Sequence, residues 1–485
     1  HRLIRRQRQM CIRDRVNKIC IVGGGTAGWM TAATFSHLNP DKELTLIESP
    51  NVPTIGVGES TTQFISDWLR LLDIKPDDWM EECDATYKYS VRFENFSATE
   101  GAFHYPFIDI IETESLAISN WFVNKTLTDC PVDTFAKFYC PQYKSIVENR
   151  IIQQDVDFYN HKVHRGYHID AAKFANWLRI NKCQKVNHII KHVDKSILNE
   201  DYDLFVDCTG FKSLLSEMYD YENWDKFDKE LPNDRAWTVR LPYTNKCEQQ
   251  RVYTNCTGMD NGWVWNVPLR SRIGTGYNFS SKFVSDEDAL EEFKKHLGYP
   301  KETLSDYRLI KFRTGLSDKP WRGKVLSIGL SGGFIEPLES NSLLSVHDWL
   351  IEASKVLTQP VIRKADINFF NTYVREKFIN FKNFVAMHYH LSTREDTPYW
   401  KYLTQEYESD PYSKLPLEHW TMGNLYGAAF ICAGHNYNPF DRVMLELLEK
   451  DGKFNRQGYF SVANFDHYDK LQESFPFAVD YYERN

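Results

Sequence analysis

The chain has 485 residues, 42% hydrophobic and 26% charged, with a formal net charge of −8. That balance excludes a dedicated nucleic-acid binder, which carries a basic domain, and an aromatic content of 15% excludes wholesale disorder. No run reaches 18 apolar residues, so no membrane-spanning helix is expected, and the protein reads as cytoplasmic with neither membrane nor nucleic acid as partner.

Residues 1–15 carry six arginines and no apolar periodicity. They read as a non-native or disordered N-terminal segment outside the fold. The ten cysteines include no Cys-x-x-Cys pair. No metal site is expected, and the thiols read as reduced structural groups.

Val16 to Val22 reads as a buried strand. It enters Gly23-Gly24-Gly25-Thr26-Ala27-Gly28, a G-x-G-x-x-G turn, and then a helical stretch to about Leu38. Glu43 to Glu48 is a second strand, and its terminal acid lies 20 residues beyond Gly28. Each part has a physical reason. Gly23 permits the tight turn, Gly25 lets backbone approach a pyrophosphate, and Gly28 lets helix and strand pack closely. The start of the helical stretch, read from Trp29, offers free N–H groups to phosphate, with Thr26 and Ala27 of the turn as further cofactor-binding candidates. Glu48 stands where a ribose-binding carboxylate is expected.

Asp203 to Gly210 and Lys324 to Leu330 read as further strands ending in small-residue turns. They suit a long cofactor lying across the strand tips, which favours FAD. No second complete G-x-G-x-x-G occurs, so reducing equivalents are expected from a separate protein. A strand is expected over 87–93 and a helical stretch over 348–384. The tail from Asp441 reads as a helix or two with aromatic anchors. His388-Tyr389-His390 is read as structural, because residues two apart do not share a helix face.

Five more segments sharpen the reading: Gly56-Val57-Gly58-Glu59-Ser60-Thr61, Trp263-Val264-Trp265-Asn266-Val267-Pro268, Gly274-Thr275-Gly276-Tyr277, Glu336-Pro337-Leu338-Glu339-Ser340 and Ser392-Thr393-Arg394-Glu395-Asp396-Thr397-Pro398. In this order the set resembles the flavin-dependent halogenases, the group that includes the tryptophan halogenases. The resemblance runs from about Val16 to about Trp400. It implies an α/β fold: a Rossmann-like FAD-binding module of the GR2-type flavin monooxygenase kind, interleaved with a substrate-binding module and a helical C-terminal region. The FAD module is expected over 16–355, discontinuous, with the substrate module at about 85–150 and 216–310. Residues 356–485 would form a mostly helical substrate-capping region.

The resemblance also implies the chemistry. FADH2, oxygen and a halide (chloride, bromide or iodide) give hypohalous acid, which halogenates an electron-rich aromatic compound. A separate flavin reductase supplies FADH2. Lys88, in the Trp79-Met80 to Tyr87-Lys88 segment, matches the lysine that positions the halogen. Glu339 matches the assisting acid, although a carboxylate near a helix start has a dipole rationale of its own. Trp263 and Trp265 match a barrier beside the tunnel; two same-face tryptophans on a strand are otherwise plain core. Asn341 and Ser342 occupy the halide positions, where the tryptophan enzymes carry Thr-Gly. Val57, Val193, Leu330 and Leu343 are carried over as further cofactor contacts.

Phe107 is in register as a stacking ring, Tyr105 stands where His is usual, and Trp420 aligns with a substrate-contacting Trp. The acid that grips the amino group of free tryptophan has no clear counterpart. An indole or phenol is therefore expected rather than free tryptophan. A flavin-dependent aromatic monooxygenase and a non-catalytic FAD-binding protein are the competing readings. A homo-oligomer stays open.

Overall fold

The computed structural model describes residues 16–51, 56–98, 101–108, 115–128, 131–152, 163–216, 224–299, 306–406, 425–437, 440–453 and 469–484. Two compact units emerge, each assembled from three stretches of chain. The first takes 1–85, 169–234 and 311–382; the second takes 86–168, 235–310 and 383–485.

In the first unit, Ile19, Cys20, Ile21 and Val22 are all buried. A run buried on both faces makes a central parallel strand. It lies within a six-stranded sheet ordered Trp321–Arg322, Val325–Ser327, Leu204–Asp207, Lys18–Val22, Glu43–Glu48, Asn187–Ile190. Lys18–Val22 pairs in parallel with Glu43–Glu48 on one side and Leu204–Asp207 on the other. The helix Thr26–Leu38 makes the crossover between the first two strands, and Ala171–Lys182 and Ser342–Leu357 pack against it. Cys20, Val22, Ile47, Ile197, Phe205 and Leu215 form a core on this sheet. The helix expected over 348–384 is two helices, Ser342–Leu357 and Lys364–His390. Pro360 stands in the gap, where its ring and missing N–H end a helix.

The second unit is built on a seven-stranded sheet ordered Arg308–Lys311, Arg235–Leu241, Ile273–Phe279, Gly262–Pro268, Tyr253–Gly258, Ser90–Glu94, Ala102–Pro106. Tyr253–Gly258 and Ser90–Glu94 run parallel; the four strands from Arg235–Leu241 to Tyr253–Gly258 are joined antiparallel. Val239, Val264, Tyr277 and Phe279 on one face pack with Ala289 and Phe293 of the helix Asp286–Leu297. A second cluster joins Trp121, Phe122, Phe135 and Tyr139 to Phe430 and Ala433. The strand expected over 87–93 is split into Thr86–Lys88 and Ser90–Glu94. Between them, Tyr89 donates its N–H to Val252 O at 2.8 Å and accepts from Phe107 N at 2.7 Å.

The tail carries the short helices Arg442–Lys450, Asp469–Glu473 and Ala478–Arg484. Its last part is fastened inside this unit. The Gln472 carboxamide bonds Ser145 and Pro141, and Ala478 N donates to Asn149 O at 2.9 Å. Asn149 adopts φ +62, and its buried side chain bonds Gln250 O at 2.7 Å and Val252 N at 2.9 Å. Among the described residues no helix is long and apolar enough to cross a membrane. Asn149→Ala removes both side-chain bonds, leaves a buried N–H and C=O without partners, and places alanine in a left-handed conformation. The loss expected in urea unfolding is about 2–3 kcal/mol.

Candidate active site

The glycine turn is shaped by close contacts. Gly23 has φ +116, and a Cβ there would lie 2.3 Å from Cys208 O; a Cβ on Gly28 would lie 1.9 Å from Gly23 O. At Gly24 a Cβ would meet Glu48 Oε2 at 1.6 Å, so this carboxylate rests directly on the turn. Its other oxygen bonds His188 Nε2 at 2.6 Å, from the neighbouring parallel strand. Nothing in the sequence pattern pointed to His188. Gly25 differs from the others: a Cβ there meets no atom within 4 Å. It is also the N-cap of Thr26–Leu38, with no side-chain cap and no acid in the first turn. Free N–H groups beside open space are what a pyrophosphate needs. The turn therefore fits a dinucleotide such as FAD.

Thr26 Oγ1 bonds Ala171 O at 3.3 Å. Ala27 Cβ lies close to Gly329, where a Cβ would be 3.1 Å away, and Val346 of the helix Ser342–Leu357 approaches the same glycine. Half-buried Leu330 belongs to the turn Gly329–Ser331, and buried Leu343 to the start of that helix. The turn after Leu204–Asp207 is organised by Asp207, which sequence reasoning passed over. Its carboxylate accepts from the N–H groups of Thr209, Leu215 and Ser216 at 2.8–3.0 Å and from the Thr209 hydroxyl at 2.7 Å. Val193 is apart from these groups, packed against the core cluster of Ile197 and Phe205.

Glu339, Ser340 and Asn341 are buried and lead into Ser342–Leu357. Glu339 lies ahead of that helix rather than in its first turn, which holds no acid. Ser340 adopts φ +59, a conformation costly for a residue with a side chain. Its hydroxyl donates to Ser60 Oγ at 3.0 Å. That bond ties the acid segment to Gly56–Ser60, where Val57 is half-buried. Asn341 is the N-cap of the helix, yet its side chain caps nothing. Its Oδ1 is buried without a hydrogen-bond partner. Glu59, beside Ser60, is half-buried by exposure, and desolvation pushes its carboxyl up to about 7.

In the second unit Lys88 ends the strand Thr86–Lys88, opposite Gly166, and is fully buried. Its Nζ lies 4.8 Å from the centroid of the buried Phe107 ring. Phe107 is held there by its N–H to Tyr89 O, and Gln142 Nε2 donates to its carbonyl at 3.2 Å. Tyr105 meets Phe107 edge-on at 6.5 Å. On the same strand as Lys88, Tyr87 N donates to Tyr482 Oη at 2.6 Å. Thr86 Oγ1 donates to Pro268 O at 2.7 Å and lies 3.1 Å from His168 Nδ1, while Thr254 Oγ1 lies 3.0 Å from His168 Nε2. Thr86 has already given its one hydrogen, so Nδ1 carries the imidazole proton. Burial, then Lys88, hold His168 well below its usual pKa and keep it neutral.

Trp263 is fully buried, and its ring lies 5.8 Å from that of Trp265. Gly276 explains the Gly274–Tyr277 motif in part: a Cβ there would lie 2.2 Å from Trp265 Cη2. His388 is buried among Phe93, Phe96 and Phe384, and burial pushes its imidazole down to about 3. Among the described residues no cluster of His, Cys, Asp or Glu could hold a metal ion. Trp420 lies outside the described residues.

Two tests follow from this geometry. Gly25→Ala meets no protein atom, so its melting temperature should match the parent while FAD affinity falls at least about tenfold by fluorescence titration. Glu59 must ionise against its environment above about pH 7. The unfolded carboxyl ionises more easily, so this residue makes folding less favourable as pH rises from the ordinary value of 4.5 through 7. Glu59→Gln should therefore melt higher than the parent above pH 7, with the gain fading toward 4.5.

A profile of the tryptophan halogenase family matches residues 18–422. Tryptophan 6-halogenase SttH of Streptomyces toxytricini is 30% identical over 424 residues, 79% of this chain and 80% of that protein. Tryptophan 7-halogenase RebH of Lentzea aerocolonigenes is 30% identical over 420 residues, 80% and 78% of the two chains. The apo structure of VirX1 superposes with a TM-score of 0.83 at 35% identity, covering 96% of this chain and 98% of that one. Flavin-dependent halogenases use FADH2 and halide to halogenate electron-rich aromatic compounds. With its dinucleotide turn and this likeness along most of its length, the chain belongs to the tryptophan halogenase family of flavin-dependent halogenases.

Proposed function

We propose that Lys88 positions the electrophilic halogen and that Glu339 assists its transfer to an indole- or phenol-type ring. The observation that carries the reading is a fully buried lysine whose Nζ sits 4.8 Å from a buried phenylalanine ring. FADH2, when bound, would reduce oxygen to the peroxide level, and that oxidant would take two electrons from halide to give hypohalous acid. Lys88 Nζ donates a hydrogen bond to the acid or takes its halogen as a haloamine. Either way the halogen is held at one point, and the gain is in orientation. With hypohalous acid, a ring π pair forms the carbon–halogen bond as the oxygen–halogen bond breaks, and the hydroxide released takes the proton that Lys88 Nζ donates and leaves as water. With a haloamine, that water has left when the nitrogen–halogen bond formed; the nitrogen–halogen bond breaks instead, and Lys88 Nζ recovers a proton. The ring proton passes to the Glu339 carboxylate, which acts as general base. Burial of Glu339 strengthens its pull on the cationic ring.

Phe107 and Tyr105 line the ring's binding face, and the resemblance adds Trp420 as a further substrate residue. Trp263 and Trp265 keep organic substrate from the oxidising centre. The backbone N–H groups of Asn341 and Ser342 hold the halide at the start of a helix, which favours an anion. Gly23, Gly25, Thr26, Ala27 and Gly28 hold the pyrophosphate, Glu48 the ribose, and Val57, Leu330 and Leu343 the rest of FAD. Val193 is the weakest of these assignments, because it packs on the core. A separate flavin reductase supplies FADH2. The eight unbonded cysteines among the described residues suit a cytoplasmic enzyme.

The test supplies protein, reduced FAD, oxygen and each halide to a panel of indoles and phenols, with products read by mass. The expected result is a halide-dependent mass shift. Lys88→Ala and Glu339→Gln should each lose at least about a hundredfold in rate, with FAD binding unchanged. Halogenation at the parent rate by Lys88→Ala would remove the lysine from its role. Oxygen insertion without halide would favour the monooxygenase reading instead.

A further inference from the structure

The seven-stranded sheet has a second face, and it is not idle. Trp263 and Trp265 alternate along their strand with Val264, Asn266 and Pro268, so these two sets point to opposite faces. On the face away from the tryptophans an open cleft of about 430 Å³ lies against the sheet. That volume falls within the range of small-molecule sites. Its floor follows from the strand register. Arg92, Asn255 and Asn266 stand side by side across three adjacent strands. Two residues along, about 7 Å away, Tyr253, Pro268, Ile273 and Leu241 make a largely apolar row. One wall is Glu248, Gln249 and Arg251; the other is His296, Leu297 and Tyr299, at the end of the helix Asp286–Leu297. Gln249 Nε2 reaches Tyr299 Oη at 3.4 Å, and Tyr299 Oη donates to Pro242 O at 3.0 Å, so the walls are tied before any ligand arrives.

The cleft is lined by charges of both signs. Arg92 is fixed by bonds from Nη1 to Glu94 Oε2 at 2.9 Å and to Asn255 Oδ1 at 2.7 Å, which leaves its other nitrogens to donate elsewhere. Among the described residues no hydrogen bond or ion pair engages the side chains of Arg251, Asn266 or Glu248. Desolvation holds the His296 imidazole below its usual pKa, so it adds no charge near neutrality. Two guanidinium groups and an amide suit a carboxylate. Glu248, on the same wall as Arg251, suits an ammonium next to that carboxylate, and the lining also holds the rings of Tyr253 and Tyr299. The apolar row suits a side chain. Dicarboxylates and phosphates fit less well, because Glu248 would repel them.

We infer that this cleft binds a free α-amino acid with an apolar or aromatic side chain, at a site separate from the halogenation centre. The carboxylate would lie against Arg92, Arg251 and Asn266, the ammonium against Glu248, and the side chain over Pro268, Ile273 and Leu241. The inference does not depend on the role proposed for Lys88.

The test is calorimetric titration of the whole protein with L-phenylalanine, 3-phenylpropionate and phenethylamine. L-Phenylalanine should bind saturably, and each analogue, lacking one charged head, should bind at least about tenfold more weakly. Arg251→Glu and Glu248→Lys should each weaken L-phenylalanine by a similar factor while FAD affinity and melting temperature stay with the parent. No saturable binding at about 5 mM would overturn the inference. So would equal binding of phenethylamine, or binding that survives in Arg251→Glu and is displaced by indole, which places the ligand on the halogenation face.

Discussion

In the second unit an amine, Lys88 Nζ, has been taken out of water. Burying an ammonium costs several kcal/mol unless its surroundings repay it. At Lys88 they are specific. The face of Phe107 offers a π-system, whose negative quadrupole attracts a cation. His168, two residues along the paired strand from Gly166, is held neutral, so it adds no positive charge beside Lys88. Thr86 and Thr254 occupy both imidazole nitrogens and fix its tautomer. The strand is pinned from outside by Tyr482, and Phe107 is pinned by Tyr89. A lysine so enclosed cannot sample many rotamers, and its Nζ is held in one place against the Phe107 ring.

The first unit solves the reverse problem, of leaving backbone donors exposed where a negative ligand will lie. Gly24 yields its Cβ space to Glu48, Gly28 to Gly23 O, and Gly23 to Cys208 O. Only Gly25 in the fingerprint faces open space. The same economy recurs in the other unit, where Gly276 gives way to the Trp265 ring. These glycines are explained by what stands against them, and for all but Gly28 the neighbour comes from a different stretch of sequence.

That separation decides what could be read beforehand. The strand, turn and helix from Lys18 to Leu38 were legible because the signal is local: an apolar run, a glycine spacing, a helical period. Lys88 and the Trp263-Trp265 pair were legible only through the resemblance of their flanks. Gly276 and Asn149 were not, because their partners lie on other elements: Trp265 on the adjacent strand, and Gln250 and Val252 a hundred residues on. Asp207 was not, because its partners Thr209, Leu215 and Ser216 are near in sequence but meet it only once an irregular turn has closed. The break at Pro360 was in plain view and was overridden by the apolar period around it. The open cleft on the back of the sheet was invisible, since strand register alone sets Arg92 beside Asn255 and Asn266.

The bond from Tyr87 to Tyr482 spans 395 residues of chain. A ribosome adds about 5–20 residues each second, so roughly 20–80 s separate the synthesis of its two ends. Throughout that interval the strand that carries Lys88 lacks the hydroxyl that completes it. The strand of Lys88 is therefore completed late in biosynthesis, after the glycine turn and its flanking strands have had time to form. The last stretch of the first unit ends at residue 382, a hundred residues before the hydroxyl that this strand awaits.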